Sequence, residues 1–128
     1  MFSHVTVGTN DFARSVAFYD KVMTALGHIQ IFCVEGAAAY GQDMVGPKTW
    51  VLFPFDKGKA EPGNGTHIAY LAADRSSVDA FHAAALEMSG TSEGEPGLRP
   101  HYHPNYYSAY VRDPDGNKLQ AVCHSSKG

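Results

Sequence analysis

The stretch Gly65-Thr66-His67-Ile68-Ala69-Tyr70-Leu71, close to the midpoint of the chain, decides the fold. It reads as a short buried strand, and it has a partner at the N-terminus, Ser3-His4-Val5-Thr6-Val7. The offset 67 − 4 = 63 carries His4 onto His67, Val5 onto Ile68, Asp11 onto Asp74, Phe18 onto Phe81 and Gly27 onto Gly90. The matches are few, but they fall in one ungapped register with the same order of elements. Self-similarity at a fixed period is the mark of a duplicated unit. Each half opens on a strand that carries a histidine near its start.

Working outward, Phe2 to Thr9 alternates, with Val5 and Val7 on one face and His4 and Thr6 on the other. Period two predicts a strand. Asn10 or Asp11 can cap the helix that follows. Phe12, Val16, Tyr19, Met23 and Leu26 form its apolar stripe, and Gly27 stops it. The segments 28–34, 37–41 and 49–53 read as three further strands. Residues 56–65 form a polar, glycine-rich connector. The second half repeats the plan, with a strand at 67–73 and a helix capped by Asp74 or Ser76. Val78, Phe81, Ala85 and Met88 run along that helix, and Gly90 ends it. Residues 91–97 are weakly patterned and can hold a short strand. A strand at 106–112, the turn Asp113-Pro114-Asp115-Gly116 and a last strand at 118–124 close the chain as a hairpin. The loop Leu98-Arg99-Pro100-His101-Tyr102-His103-Pro104-Asn105 has no counterpart in the first half. The expected architecture is α+β: two tandem βαβββ modules forming curled mixed sheets around a cavity. It occupies 1–128 as one domain, with module 1 at about 1–56, the connector at about 57–65 and module 2 at about 66–124.

Composition narrows the function. The formal charge is −3 and no basic run appears, which argues against a nucleic-acid partner. No apolar run approaches the length of a membrane span. The N-terminus enters a strand pattern directly, without a signal peptide. Cys33 and Cys123 are therefore expected as reduced thiols of a cytoplasmic protein, with a disulfide between them left open. No phosphate-cradling glycine loop, nucleophile elbow or Cys-x-x-Cys is present, so no nucleotide cofactor is expected.

The duplication places His4 and His67 at equivalent positions, where two imidazoles can face one cavity and suit Zn, Fe, Ni or Cu. Each can equally be a half-buried histidine bonded to backbone. Gln120 is a polar residue in the middle of a half-buried strand. It is a neutral oxygen ligand, a substrate hydrogen-bonding group or a structural amide. In the unmatched loop, Arg99 suits a substrate carboxylate. His101 and His103, with Tyr102, Tyr106, Tyr107 and Tyr110, can rim a pocket or form a proline-braced surface loop. Trp50 is pocket wall or core. His28, His82 and His124 receive no role.

Paired βαβββ modules, a histidine on each first strand, and Asp113-Pro114-Asp115-Gly116-Asn117-Lys118-Leu119-Gln120 before the end together resemble the vicinal oxygen chelate superfamily. This is the group of glyoxalases, bleomycin-resistance proteins and extradiol dioxygenases, and the resemblance spans almost the whole chain. It implies a cavity that in the metalloenzymes holds a divalent metal (Zn, Ni, Mn or Fe). His4 and His67 match first-strand ligand positions. Gln120 stands where the family's last-strand glutamate usually does. The fourth position falls on 49–55, which has no Glu, Gln or His. The resemblance thus implies a metal-dependent lyase, isomerase or ring-opening oxygenase acting on a small molecule, with His4, His67 and Gln120 as ligands. Trp50, Arg99, His101, His103, Tyr106 and Tyr110 would bind the substrate. The alternative is a metal-free protein that sequesters a small ligand, like the bleomycin-resistance branch. A homodimer is implied by the resemblance alone.

Overall fold

The sequence periodicities resolve into eight strands and two helices in the computed structural model, which describes residues 1–128. The first module runs β1 (His4–Gly8), α1 (Phe12–Ala25), β2 (Ile29–Val34), β3 (Ala37–Gly41) and β4 (Lys48–Leu52). The second runs β5 (His67–Leu71), α2 (Arg75–Glu87), β6 (Thr91–Leu98), β7 (Tyr107–Arg112) and β8 (Lys118–Cys123). The sheets are ordered β1-β4-β3-β2 and β5-β8-β7-β6. In each, the first strand lies parallel to the last, and the remaining pairs are antiparallel. Neither sheet closes into a barrel.

The duplication is visible in the register. His4 pairs with Lys48, and His67 pairs with Lys118. Between β1 and β5 the offset is 67 − 4 = 63, and between β4 and β8 it is 118 − 48 = 70. The second module therefore carries seven extra residues; six lie between β6 and β7, where 99–106 stands against 35–36 between β2 and β3, and β6 itself is longer than β2.

Both helices start as the sequence predicts. The Asp11 carboxylate accepts the Arg14 amide, and the Asp74 carboxylate accepts the Ser77 amide, so each N-cap satisfies an otherwise orphaned N–H. Gly27 takes φ +81 just past α1, a conformation cheap only for residues without a Cβ. At the end of α2 the expectation needs correction. Ser89 takes the left-handed φ of 72, not Gly90. Gly90 is needed for space, because a Cβ there would sit 2.7 Å from the Arg112 carbonyl and 2.8 Å from both the Ala85 carbonyl and the Phe18 ring.

The core lies where the helices meet the inner faces of the sheets. Phe18, Tyr19, Val22 and Met23 of α1 join Val78, Phe81 and Ala85 of α2 in one cluster with Val51, Tyr40, Val111, Leu119 and Ala121 of the strands. The buried side of α1 is wider than the predicted stripe and includes Phe18 and Val22. The reason is that α2 and the first sheet cover it from two directions. Polar ties reinforce the seam between the modules. The Tyr19 hydroxyl donates to Asp113 Oδ2 at 2.5 Å, Asn117 Nδ2 donates to the Gly8 carbonyl at 3.0 Å, and Thr49 Oγ1 lies 3.0 Å from the Tyr70 hydroxyl. The connector is pinned as well: Asn10 exchanges two hydrogen bonds with the backbone of Ala60. No helix is long and apolar enough to cross a membrane. Cys33 and Cys123 are free thiols, the first exposed and the second buried.

Candidate functional site

With Val5 and Val7 turned inward, β1 presents His4 and Thr6 on its outer face; β5 likewise presents His67, Ala69 and Leu71. Both histidines line one cleft of about 340 Å³ at the seam of the modules, together with His28, Lys48 and Tyr70. The Ser3 hydroxyl meets His4 Nδ1 at 2.9 Å. His28 was given no role from sequence, yet it faces this cleft edge-on to Tyr70. Its Nδ1 is buried without a partner, and burial pushes the imidazole below its ordinary pKa. Burial also raises the Tyr70 hydroxyl, to about 12.

Gln120 is only 2% exposed and sits beside Ala69 in the parallel ladder. Its Nε2 donates to the Tyr106 hydroxyl at 2.6 Å, and its Oε1 lies 3.2 Å from His67 Nε2. An amide oxygen only accepts, so His67 Nε2 carries the proton in this arrangement. Every polar group of Gln120 near His67 is thereby engaged. Tyr110 stands next in the ladder, opposite Gln120, with its ring 6.0 Å from His67. Burial, followed by the neighbouring Tyr106, raises the Tyr110 hydroxyl above its ordinary range.

A second hollow of about 310 Å³ opens on the other side of His67, lined by Arg99, His101, Tyr102, Tyr110, Lys118 and Glu93. The structure thus brings Arg99, His101 and Tyr110 to His67. Tyr106 reaches the site through Gln120. His103 does not line the hollow; its Nε2 lies 2.9 Å from His124 Nδ1, and its ring packs against Tyr106. Trp50 stands apart, on the outer face of the first sheet against Phe32. His82 is a structural residue, buried and paired with the Ser92 hydroxyl. Lys118 was missed from sequence. It shares the face of Gln120 two residues earlier, and the parallel pairing of first and last strands places it beside His67.

The donor set can be tested against a divalent ion. Two adjacent ligands of an octahedral ion stand roughly 3.0 Å apart when each bond is about 2.1 Å. The 3.2 Å between His67 Nε2 and Gln120 Oε1 fits that requirement, and His4 lines the same cleft as His67. No group of three His, Cys, Asp or Glu side chains converges in the chain. A set of His4, His67 and Gln120 would bring no carboxylate.

Two mixed sheets of duplicated βαβββ modules, each opening on an outward histidine, define a class of protein, and comparison places the chain in it. The chain belongs to the glyoxalase/bleomycin resistance protein/dioxygenase superfamily, whose model matches residues 1–121. Among solved structures, a glyoxalase/bleomycin resistance protein from Albidiferax ferrireducens T118 is similar at 35% identity and TM-score 0.87, over 98% of this chain and 99% of that one. The fold also matches lactoylglutathione lyase from Agrobacterium tumefaciens at 18% identity, TM-score 0.65, over 96% and 92% of the two chains. Fosfomycin resistance protein FosX from Mesorhizobium loti matches at 14% identity, TM-score 0.67, over 98% and 92%. No curated protein sequence matches the chain.

Proposed function

We propose that the chain is a metal-dependent enzyme acting on a small oxygen-bearing molecule, as a lyase, an isomerase or a ring-opening oxygenase. His67, Gln120 and His4 would hold the divalent ion. The observation that carries this reading is the 3.2 Å pairing of His67 Nε2 with Gln120 Oε1 beside a cleft that His4 also lines. When bound, such an ion supplies Lewis acidity toward vicinal oxygens of the substrate. The chain's own residues do the rest. The Tyr106 hydroxyl fixes the Gln120 amide, and His67 Nε2, which donates to Gln120 Oε1 without an ion, would offer its lone pair to one by carrying the proton on Nδ1 instead. A glutamine leaves the site one negative charge short of a carboxylate, which favours weaker cation binding. Elemental mass spectrometry on untagged protein beside His67→Ala tests the reading. Near-stoichiometric metal lost in the variant supports it, and no metal in either protein after incubation with Zn, Ni, Mn or Fe refutes it.

A second reading has its own support. The His67–Gln120–Tyr106 bonds form a self-satisfied chain that needs no ion, as a metal-free binding protein would use. In that case amide NMR shifts of the cleft residues respond to ligand in protein stripped of metal. Under either reading we infer a homodimer. Phe32, Val34 and Phe53 are exposed, and Phe32 lies on the outer face of the first sheet with Trp50, a surface that a second copy would cover. Sedimentation velocity giving a monomer at micromolar concentration counts against it. The free thiols support a cytoplasmic location.

A further inference from the structure

We propose that the ligand of this site is a small anion, and that Arg99 and Lys118 bind its carboxylate in the hollow beside His67. The inference rests on the reading of this face as a small-molecule site, but not on a metal. Four observations lead to it.

The first is a charge imbalance. The chain is acidic overall, yet the hollow gathers two cations with no acidic partner. No carboxylate lies within ion-pair reach of Arg99 or Lys118. The one acid on the wall, Glu93, is already engaged by Arg112 Nε at 3.1 Å. An unpaired cation pair in a concave site is a receptor for an anion.

The second is that Arg99 is positioned rather than loose. Its Nη1 donates to the Gly97 carbonyl and its Nη2 to the Glu95 carbonyl, both at 2.8 Å. A guanidinium has five N–H donors, so 5 − 2 = 3 remain for a ligand. That is enough for a bidentate grip on a carboxylate.

The third is that the chain makes room for it. Neither Gly94 nor Gly97 has a positive φ, so backbone conformation does not require glycine at either place. Space does. A Cβ at Gly94 would fall 3.2 Å from Arg99 Nη2 and 3.1 Å from the Tyr110 ring, and one at Gly97 would fall 3.3 Å from Arg99 Nη1.

The fourth is the floor. The Arg99 guanidinium and the Lys118 ammonium lie 5.8 and 5.3 Å from the centroid of one ring, Tyr110. Both cations are held over the same ring, which keeps their heads together at one end of the hollow. The volume suits a benzene-sized ligand, since a cavity of about 150 Å³ takes benzene and this hollow has about 310 Å³.

Geometry then orders the ligand. Its carboxylate sits between Arg99 and Lys118, and its oxygen functions reach His67, which the hollow shares with the cleft. A phosphonate offers the same oxyanion chemistry with a tetrahedral head.

The test is titration of the full chain, stripped with EDTA, with benzoate, its neutral isostere benzamide, and phenylphosphonate. Binding is followed by amide NMR shifts in wild type, Arg99→Gln, Lys118→Gln and, as a control, Lys21→Gln. Benzoate is expected to shift residues around 94–102, 110 and 118. Its affinity should fall at least tenfold in Arg99→Gln and in Lys118→Gln, persist in Lys21→Gln, a surface cation paired with Glu87 away from the hollow, weaken as salt rises in wild type, and be absent for benzamide. Tighter binding of phenylphosphonate with the same loss in Arg99→Gln supports an oxyanion site with a tetrahedral source. Equal binding of benzamide and benzoate overturns the proposal, as does salt-independent binding in wild type or the absence of any oxyanion binding. The metal reading is decided separately, by elemental content, so the two fail independently.

Discussion

Tyr19→Phe isolates the bond that locks the two modules together. Tyr19 is fully buried on α1, and its hydroxyl donates at 2.5 Å to Asp113 at the end of β7, a residue of the other module. Removing the hydroxyl leaves the ring packing intact. Asp113 keeps the Asn117 and Asp115 amides on Oδ1 and the Asn117 side chain on Oδ2, so it loses one of four donors. A hydrogen bond to a charged group contributes about 1.5–3 kcal/mol, and the remaining donors place the cost near 2 kcal/mol. For a chain of this size that corresponds to a fall in Tm of about 8 °C. The effect should depend on pH with a definite sign. Burial pushes the Asp113 carboxyl above its ordinary value of 3.8, while the Tyr19 and Asn117 bonds pull it back by favouring the ionised form. Losing the Tyr19 bond raises it further. The variant's deficit is therefore full at pH 8 and shrinks as pH falls through the raised pKa, where the acid is neutral in the folded protein. Urea unfolding followed by circular dichroism at pH 8 and pH 4.5 measures both values. A loss under about 0.5 kcal/mol, or a deficit that is flat with pH, would refute the reasoning.

The other expectations are simpler. Gln120→Glu supplies the missing charge beside His67 and should raise Zn affinity at least about tenfold in competition titrations; unchanged affinity would place Gln120 outside the ligand set. Gly90→Ala drives a Cβ into two carbonyls and the Phe18 ring, an overpacking expected to cost about 1–3 kcal/mol. Gly27→Ala meets nothing within 4 Å and should cost only the left-handed backbone strain, about 1–2 kcal/mol; urea unfolding should find Gly90→Ala the more costly, and the reverse order would refute the crowding at Gly90. Asp74 is held below its ordinary value of 3.8, first by the Ser77 side chain and then by the Ser77 amide. A depressed carboxylate stabilises above its unfolded pKa and loses that contribution as pH falls. Asp74→Ala should therefore lower Tm at pH 7 but not at pH 2, and calorimetry at the two values decides it.

The frame of this fold is written locally, and that is why the sequence reveals it. Alternation in β1 and β5, the caps at Asp11 and Asp74, and the Asp113–Gly116 turn each depend on a few neighbouring residues. The turn forms as expected, with the Gly116 amide donating to the Asp113 carbonyl at 2.9 Å. What escapes the sequence depends on approach between distant segments. The strand β6 was faint because its sequence, Thr-Ser-Glu-Gly-Glu-Pro-Gly-Leu, has no apolar alternation. It is an edge strand interrupted by register shifts, and two of its glycines lie against the Arg99 head. Gly90 reads as a helix stop, yet it answers to Phe18 in the other module. At the site, His67 beside Gln120 follows from parallel pairing of first and last strands. His28 and Lys118 could be placed only once the cleft and hollow had shape. Trp50 and His103 carry suggestive side chains, but the topology sends them elsewhere.

The segment 99–106 that breaks the repeat also has its own closure. The Arg99 amide donates to the Tyr106 carbonyl at 2.7 Å, the Tyr102 amide returns to the Arg99 carbonyl, and the Tyr106 amide to that of His103. The segment therefore behaves as a cartridge: its two ends are already clasped, and the strands on either side need not change when its contents do. An ancestral doubled scaffold could exchange this insert, and with it the Arg99 end of the hollow, while leaving the histidine strands and the shared core untouched. Selectivity and stability would then vary on separate parts of the chain, and grafting residues 99–105 between relatives, with Tyr106 kept to hold Gln120, would transfer ligand preference without refolding the rest.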